Sequence, residues 1–202
     1  MKRSELLDYR LIKEMLSPSS IECISKLILL GEVGSTNSLV LKELNAGMGP
    51  VLVCAAEQQT FGRGRLGKVW HSPLSNNIYL SLSWEYALPY NKVEGLSLAI
   101  GVVILNSLEV FGYSNLKLKW PNDILFDGAK LAGVLVEIFG DVNSSLKVIV
   151  GVGINVSMSA EQGSVIDRSW TDLSSIRPEP PPSRNELLAG LIDNLLDLLS
   201  SY

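Results

Sequence analysis

At 202 residues and 47% hydrophobic content, the chain is long enough for one domain, spanning 1–202, that buries most of its apolar surface without disulfide or metal staples. Lys plus Arg is 17 against 21 for Asp plus Glu, a formal charge of −4, which excludes a general electrostatic grip on nucleic acid or an anionic membrane. Cys23 and Cys54 sit in apolar, strand-like surroundings without CxxC spacing, so reduced, buried thiols are expected, and the single histidine, His71, leaves a Ser-His-Asp triad or a histidine metal site little support.

The opening segment, with Glu5 and Asp8 among its leucines, has no signal-peptide core, and the longest apolar stretch, 96–105, is too short to cross a bilayer. A cytoplasmic protein is expected. After this polar opening, 26–30 reads as a strand, and 31–37 as a turn feeding a helix that Ser35 or Thr36 can cap. Gly47, Gly49 and Pro50 end that helix, and 51–56 is an apolar strand leading into the sequence QTFGRGRLGKVWHSP at 59–73.

This stretch concentrates Gly62, Gly64 and Gly67 with Arg63, Arg65 and Lys68 in an otherwise acidic chain. Such a loop can fold its N–H groups around a phosphate or carboxylate while the side chains supply charge. The same glycine spacing fits a dinucleotide fingerprint, a P-loop lacking its hydroxyl residue, and a kinase glycine loop. The first two must open a helix, whereas these glycines run into Val69, Trp70, His71, Ser72 and Pro73; the third needs HRD and DFG strings that do not follow. A glycine-rich surface hairpin with solvated arginines is the plain alternative.

Residues 78–84 alternate as a strand, and Val93, Leu96, Ile100, Ile104, Leu108 and Phe111 recur at helical steps, predicting the main helix. Leu116, Leu118 and Trp120 alternate with Lys117 and Lys119 up to Pro121; Lys117 reads as a solvated strand lysine. Asp127-Gly128 predicts a two-residue hairpin pairing Phe126 with Ala129 and Leu125 with Lys130. In that register Asp123, Leu125, Lys130 and Ala132 share a face, with Asp123 and Lys130 about 7 Å apart as diagonal neighbours. Gly151 and Gly153 inside a strand over 147–156 imply close approach of a ligand or another backbone. A proline-rich loop at 178–182 precedes a final helix with Ser183 and Glu186 in capping-box spacing and a stripe of Leu188, Leu191, Ile192, Leu195 and Leu199. Strands outnumber helices in irregular order, which predicts a mixed, largely antiparallel sheet flanked by helices.

Four strings in order, GSTN at 34–37, the glycine loop at 59–73, KWPND at 119–123 with KLAGVLVE at 130–137, and GVGINV at 151–156, resemble the catalytic domain of biotin protein ligases over most of the chain. The resemblance implies the α+β core of class II aminoacyl-tRNA synthetases and a two-step reaction, in which biotin and MgATP give biotinyl-5'-AMP and the adenylate acylates a lysine of a biotin carboxyl carrier domain. It implies that Ser35, Thr36, Asn37, Gln59, Arg63, Gly64, Arg65, Lys130 and Gly133 contact biotin, and that Arg65, Lys68, Trp70, Asn122 and Asn155 serve ATP or the adenylate. Lys130, Arg65, Asp123 and Lys119 are the expected catalytic residues, with Mg2+ near Asp123 and no tightly bound prosthetic group. Plainer roles stand beside these: Ser35 and Thr36 as helix caps, Asp123 as a turn residue, Lys68 as a surface charge. Phe61 and Lys68 depart from the usual loop, where a small residue and arginine are common.

No helix-turn-helix precedes the catalytic strings, so neither repressor activity nor DNA binding is expected, nor is a membrane partner. The SH3-like domain that commonly follows is missing, which keeps open a biotin-binding fragment or regulatory pseudoenzyme with poor turnover. A lipoate or octanoate transferase of the same fold is the other alternative. Nothing in the sequence specifies oligomeric state.

Overall fold

The computed structural model describes residues 5–86, 93–140 and 145–202. Seven strands form one sheet: β1 (Lys26–Leu30), β2 (Leu52–Ala56), β3 (Asn77–Tyr86), β4 (Lys117–Lys119), β5 (Asp123–Phe126), β6 (Ala129–Phe139) and β7 (Leu146–Asn155), in spatial order β1-β2-β3-β7-β6-β5-β4. Among the described residues β1 and β2 are the one parallel pair of neighbouring strands, and the other strand pairs are antiparallel, as the pattern of elements implied. The helices are α1 (Tyr9–Met15), α2 (Pro18–Cys23), α3 (Thr36–Asn45), α4 (Leu96–Val110), α5 (Ala160–Gly163), α6 (Leu173–Ile176) and α7 (Arg184–Ser201).

Strand alternation sorts side chains between two layers. Val53, Ala55, Leu80, Leu82, Val134, Val150 and Val152 face a large core built with Ile100, Ile104 and Leu108 of α4, Leu188, Leu191, Ile192, Leu195 and Leu199 of α7, and Ile12 of α1. On the other face Leu52, Cys54 and Ile149 form a smaller cluster with Val40 and Leu44 of α3, joined by the partly buried Ile28, Leu39, Leu41 and Phe139, so this second layer covers one end of the sheet. The uncovered remainder is where a ligand can lie.

Three local expectations needed correction. The opening segment folds into α1 and α2, capped by the Asp8 and Ser17 side chains, and Cys23 is a half-buried residue at the end of α2 rather than part of a strand. These helices are only 7 and 6 residues long, too short to be stable alone, and α7 holds them: Asn185 Oδ1 accepts the Asp8 N–H at 2.7 Å and Asp193 accepts the Ser17 N–H at 3.1 Å. At the start of α7, Ser183 accepts the Glu186 N–H, which is one half of a capping box. The Asp127-Gly128 hairpin pairs Phe126 with Ala129 and Leu125 with Lys130 as expected, but a bulge next to Ile124 then sets Asp123 opposite Gly133 rather than Ala132. Among the described residues no helix is long and apolar enough to cross a membrane.

Candidate functional site

The uncovered part of the second sheet face is a cleft of about 1100 Å3. Gly133 and Leu135 of β6 and Gly151, Gly153 and Asn155 of β7 line it, each set sharing one face because residues two apart project together. Glycine is needed at two of these positions. A Cβ on Gly151 would lie 2.3 Å from Asn37 Oδ1, and one on Gly153 2.4 Å from the Trp70 ring. The close approach inferred from these glycines is therefore by side chains, not by backbone. From Gly151 to Asn155 the strand measures about 13 Å, at roughly 3.3 Å per residue.

One end of the cleft is built mainly from neutral polar groups, with the Glu137–Arg63 ion pair beside them. Ser35 caps α3 by accepting the Ser38 N–H at 3.5 Å, and the buried Thr36 and Asn37 follow in the first turn. Thr36 N–H and Oγ1 both donate to Gln59 Oε1, at 2.9 and 3.0 Å, while Gln59 Nε2 donates to Ser72 Oγ at 3.0 Å. Ser81 Oγ, from β3, lies 2.7 Å from Thr36 Oγ1 and 2.5 Å from Asn37 Oδ1. These three oxygen–oxygen contacts, Ser81 with Thr36, Ser81 with Asn37 and Thr36 with Gln59, share only two hydroxyl protons. The cluster has more acceptor capacity than donors, which suits a ligand bearing N–H groups.

The other end is charged. Lys130 Nζ lies 2.5 Å from Asp123 Oδ1 and 5.2 Å from the centre of the Trp70 ring, and the Arg168 guanidinium approaches Asp123 Oδ2 at 3.8 Å. Burial, more than the like charges of Arg168 and Lys68, pulls the Lys130 pKa below the ordinary lysine value against the opposing pull of Asp123. The predicted convergence of amine and carboxylate is thus realised despite the bulge, and Asp123 opens β5 rather than sitting in a turn.

Ser35, Thr36, Asn37, Gln59, Arg63, Gly64, Arg65, Lys68, Trp70, Asn122, Asp123, Lys130, Gly133 and Asn155 all line the cleft. Lys119 does not; it is exposed in the edge strand β4, opposite Asp123 in register. Asn122 and Asn155 have structural bonds: Asn122 Nδ2 donates to Val134 O at 2.8 Å and Asn155 Nδ2 to Thr171 O at 3.0 Å. The glycine loop forms no helix N-terminus. An Arg63–Val69 bridge closes it into a small hairpin around a single turn at Arg65–Gly67, with Arg63, Arg65 and Lys68 exposed.

Sequence reasoning missed one wall. Val165, Ile166, Asp167, Arg168 and Trp170 also line the cleft, because the Lys130 N–H donates to Ser169 O and the Thr171 N–H to Lys130 O, both at 3.0 Å. No periodicity marks that segment, since two backbone bonds to a distant strand position it. Glu137 and Ser81, which anchor the polar end, were hidden as ordinary alternating strand residues.

Residues 31–155 match the Biotin/lipoate A/B protein ligase family. The bifunctional ligase/repressor BirA of Escherichia coli (strain K12) is 37% identical over 177 residues, covering 86% of this chain and 53% of that protein, so the chain spans about half the length of this relative. Among solved structures, biotin protein ligase from Leishmania major in complex with biotinyl-5-AMP superposes with a TM-score of 0.71 at 26% identity, covering 88% of this chain and 76% of that one. Biotin protein ligase from Aquifex aeolicus in complex with biotin and ATP gives 0.69 at 33% identity, covering 87% and 71%.

Proposed function

The chain belongs to the Biotin/lipoate A/B protein ligase family, and on that premise we propose that it activates biotin with MgATP as biotinyl-5'-AMP and transfers biotin to a lysine of a biotin carboxyl carrier domain. The observation that carries this reading is one cleft with an acceptor-rich end and a cationic end. A bicyclic ureido head fits the first, where its two N–H groups meet the surplus acceptors of Thr36, Asn37 and Ser81. The acid arm, running through the cleft from the polar end to the charged one, points its carboxylate at Lys130. Lipoate has a dithiolane head with no N–H group, and a buried hydrogen-bonding site rejects an analogue that leaves its polar groups unpaired.

In the first step a biotin carboxylate oxygen attacks the α-phosphorus, the bond from that phosphorus to the bridging oxygen breaks, and pyrophosphate leaves. Two anions must meet, so a fixed ammonium where charge accumulates favours the transition state more than the separated reactants. Lys130 is that group. Arg65 and Lys68 reach in from the glycine loop, which can order over the adenylate and keep water from a hydrolysable mixed anhydride. In the second step the carrier amine attacks the acyl carbon, the acyl–phosphate bond breaks, AMP leaves, and the amine proton passes to solvent.

Magnesium enters as part of the nucleotide substrate. Both Asp123 oxygens already face cations, Lys130 and Arg168, and the described residues contain no group of three His, Cys, Asp or Glu that could hold a metal. The residues near Asp123 therefore do not fit a protein-built metal site. Magnesium bound mainly by phosphates and water needs little from the protein.

Trp70 packs against Gly153 and Gly133, and its indole plane is suited to an adenine. Trp70→Ala is expected to raise the KM for ATP about tenfold or more, since base–aromatic stacking contributes about 1–3 kcal/mol. The effect on biotin affinity should be smaller, and steady-state titration of each substrate checks the order. The pH profile follows from Lys130. Its ammonium form predominates below its folded pKa, which lies under the ordinary lysine value, so adenylation should fall on the alkaline side earlier than for a solvated lysine. Arg168→Ala removes a like charge that lowers that pKa, and the alkaline limb of kcat should move to higher pH.

The activity is tested by incubating the protein with biotin, MgATP and a purified carrier domain, then following carrier mass. A mass increase equal to one biotinyl group on one lysine, dependent on both substrates, is the expected result; an unmodified carrier with ATP hydrolysed or unused contradicts it.

A further inference from the structure

Glu137 has no part in the reaction steps described above, yet its two carboxylate oxygens are both engaged at the polar end of the cleft. It lies on β6, two and four residues beyond Leu135 and Gly133, and so on the same face. Oε2 accepts from Asn37 Nδ2 at 2.9 Å, and Oε1 meets the Arg63 guanidinium of the glycine loop at 2.5 Å. Arg63 also donates to Ser38 Oγ, in the first turn of α3, at 3.2 Å.

An ionised carboxylate can only accept, whereas an amide presents a donor on one side and an acceptor on the other. Glu137 therefore requires the NH2 of Asn37 to face it, and this turns Asn37 Oδ1 toward Ser81 and the hydroxyl cluster. With the amide reversed, Oδ1 would oppose the carboxylate and the acceptor surplus would become a donor. Glu137 thus determines which hydrogen-bonding face the cleft offers. The second oxygen ties the same decision to the loop, because the ion pair with Arg63 holds the hairpin against the rim beside Asn37.

We propose that Glu137 is a positioning residue for the ligand head: it orients the Asn37 amide and, through Arg63, latches the glycine loop, so that head recognition and loop closure are coupled. The head-recognition half rests on the biotin reading; the latch half does not. A side chain of the same shape without charge, Glu137→Gln, separates the two properties, since glutamine can accept from Arg63 only as a neutral partner and allows either orientation of Asn37.

The test uses the purified chain with Glu137→Gln, Arg63→Ala and the double variant. Tryptic cleavage after Arg65 and Lys68 is timed without ligand, and biotin binding is measured by calorimetry alongside kcat and KM for ATP. Glu137→Gln should cleave faster in the loop and bind biotin about tenfold more weakly, with KM for ATP nearly unchanged, as expected for loss of one charge-assisted bond. In the double variant, loop cleavage should be no faster than in the faster single variant, because both act through one contact. Additive cleavage rates, or Glu137→Gln with wild-type loop protection, would overturn the latch. Wild-type biotin affinity in Glu137→Gln would overturn the orienting role. If the unaltered chain binds no biotin, the substrate reading fails, and the proteolysis, which needs no ligand, still decides the latch. Arg63 is exposed, so Arg63→Ala provides a folded second variant.

Discussion

Lys130→Ala is expected to reduce biotin-dependent adenylation about 100- to 1000-fold while leaving the protein folded, the loss typical when a preorganised charge-stabilising donor is removed from a site. Lys130 lies 2.5 Å from Asp123 and is largely buried, so its charge acts where water cannot replace it. Lys130→Met retains much of the aliphatic stem against Trp70 and should lose as much rate as the alanine variant, because charge rather than packing is at issue. Asp123 keeps Arg168 as a partner in both variants, which limits the cost to stability. Pyrophosphate-exchange rates set beside thermal melts decide the point. Near wild-type exchange in either variant would remove Lys130 from the reaction.

Arg184→Ala should produce the largest loss of stability, about 3–5 kcal/mol, as expected when one member of a buried ion pair is removed. At about 2–4 °C per kcal/mol for a chain of this size, the melting temperature should fall about 6–20 °C. Arg184 and Glu57 pair at 2.8 Å with side chains only 5% and 8% exposed. The guanidinium also donates to Asn77 O at 3.2 Å and to the Glu5 carbonyl, and Glu57 Oε1 accepts the Leu7 N–H at 2.6 Å. One planar fork therefore joins the opening segment, the end of β2, the start of β3 and α7. Arg184→Lys should rescue little, since an ammonium cannot reproduce that geometry. Replacing Arg184 and Glu57 together by leucine should cost less than Arg184→Ala, because no buried charge is then left alone. Urea denaturation of the three variants checks the order, and a shift under about 1 kcal/mol for Arg184→Ala would show the pair to be dispensable.

Local signals were read well where they were sufficient. The Asp127-Gly128 turn specified its own hairpin, the stripe of α7 marked its buried face, and Gly151 and Gly153 announced close approach before Asn37 and Trp70 were seen to make it. Features held by distant partners were not legible. The helices α1 and α2 depend on Asn185 and Asp193, the 165–171 wall depends on Lys130 backbone groups, and the bulge beside Ile124 has no residue that declares it. The polar end was half visible. Ser35, Thr36, Asn37 and Gln59 were assigned to one site through the ordered motifs, but Ser81 and Glu137, which complete the proton count, look like any alternating strand residues until the sheet brings them to α3. Lys119 shows the converse: its motif suggested the site, yet although it stands opposite Asp123 in register it is exposed in the edge strand and does not line the cleft.

Adenylation of biotin in this cleft is tested most directly by ATP–pyrophosphate exchange with the purified chain, run in parallel with biotin, with lipoate and with no acid. Exchange that depends on biotin, absent without acid and at least about 100-fold slower with lipoate, is the predicted result, since a head lacking N–H groups leaves the polar end unpaired. Exchange supported equally by lipoate, or none with biotin, would contradict it.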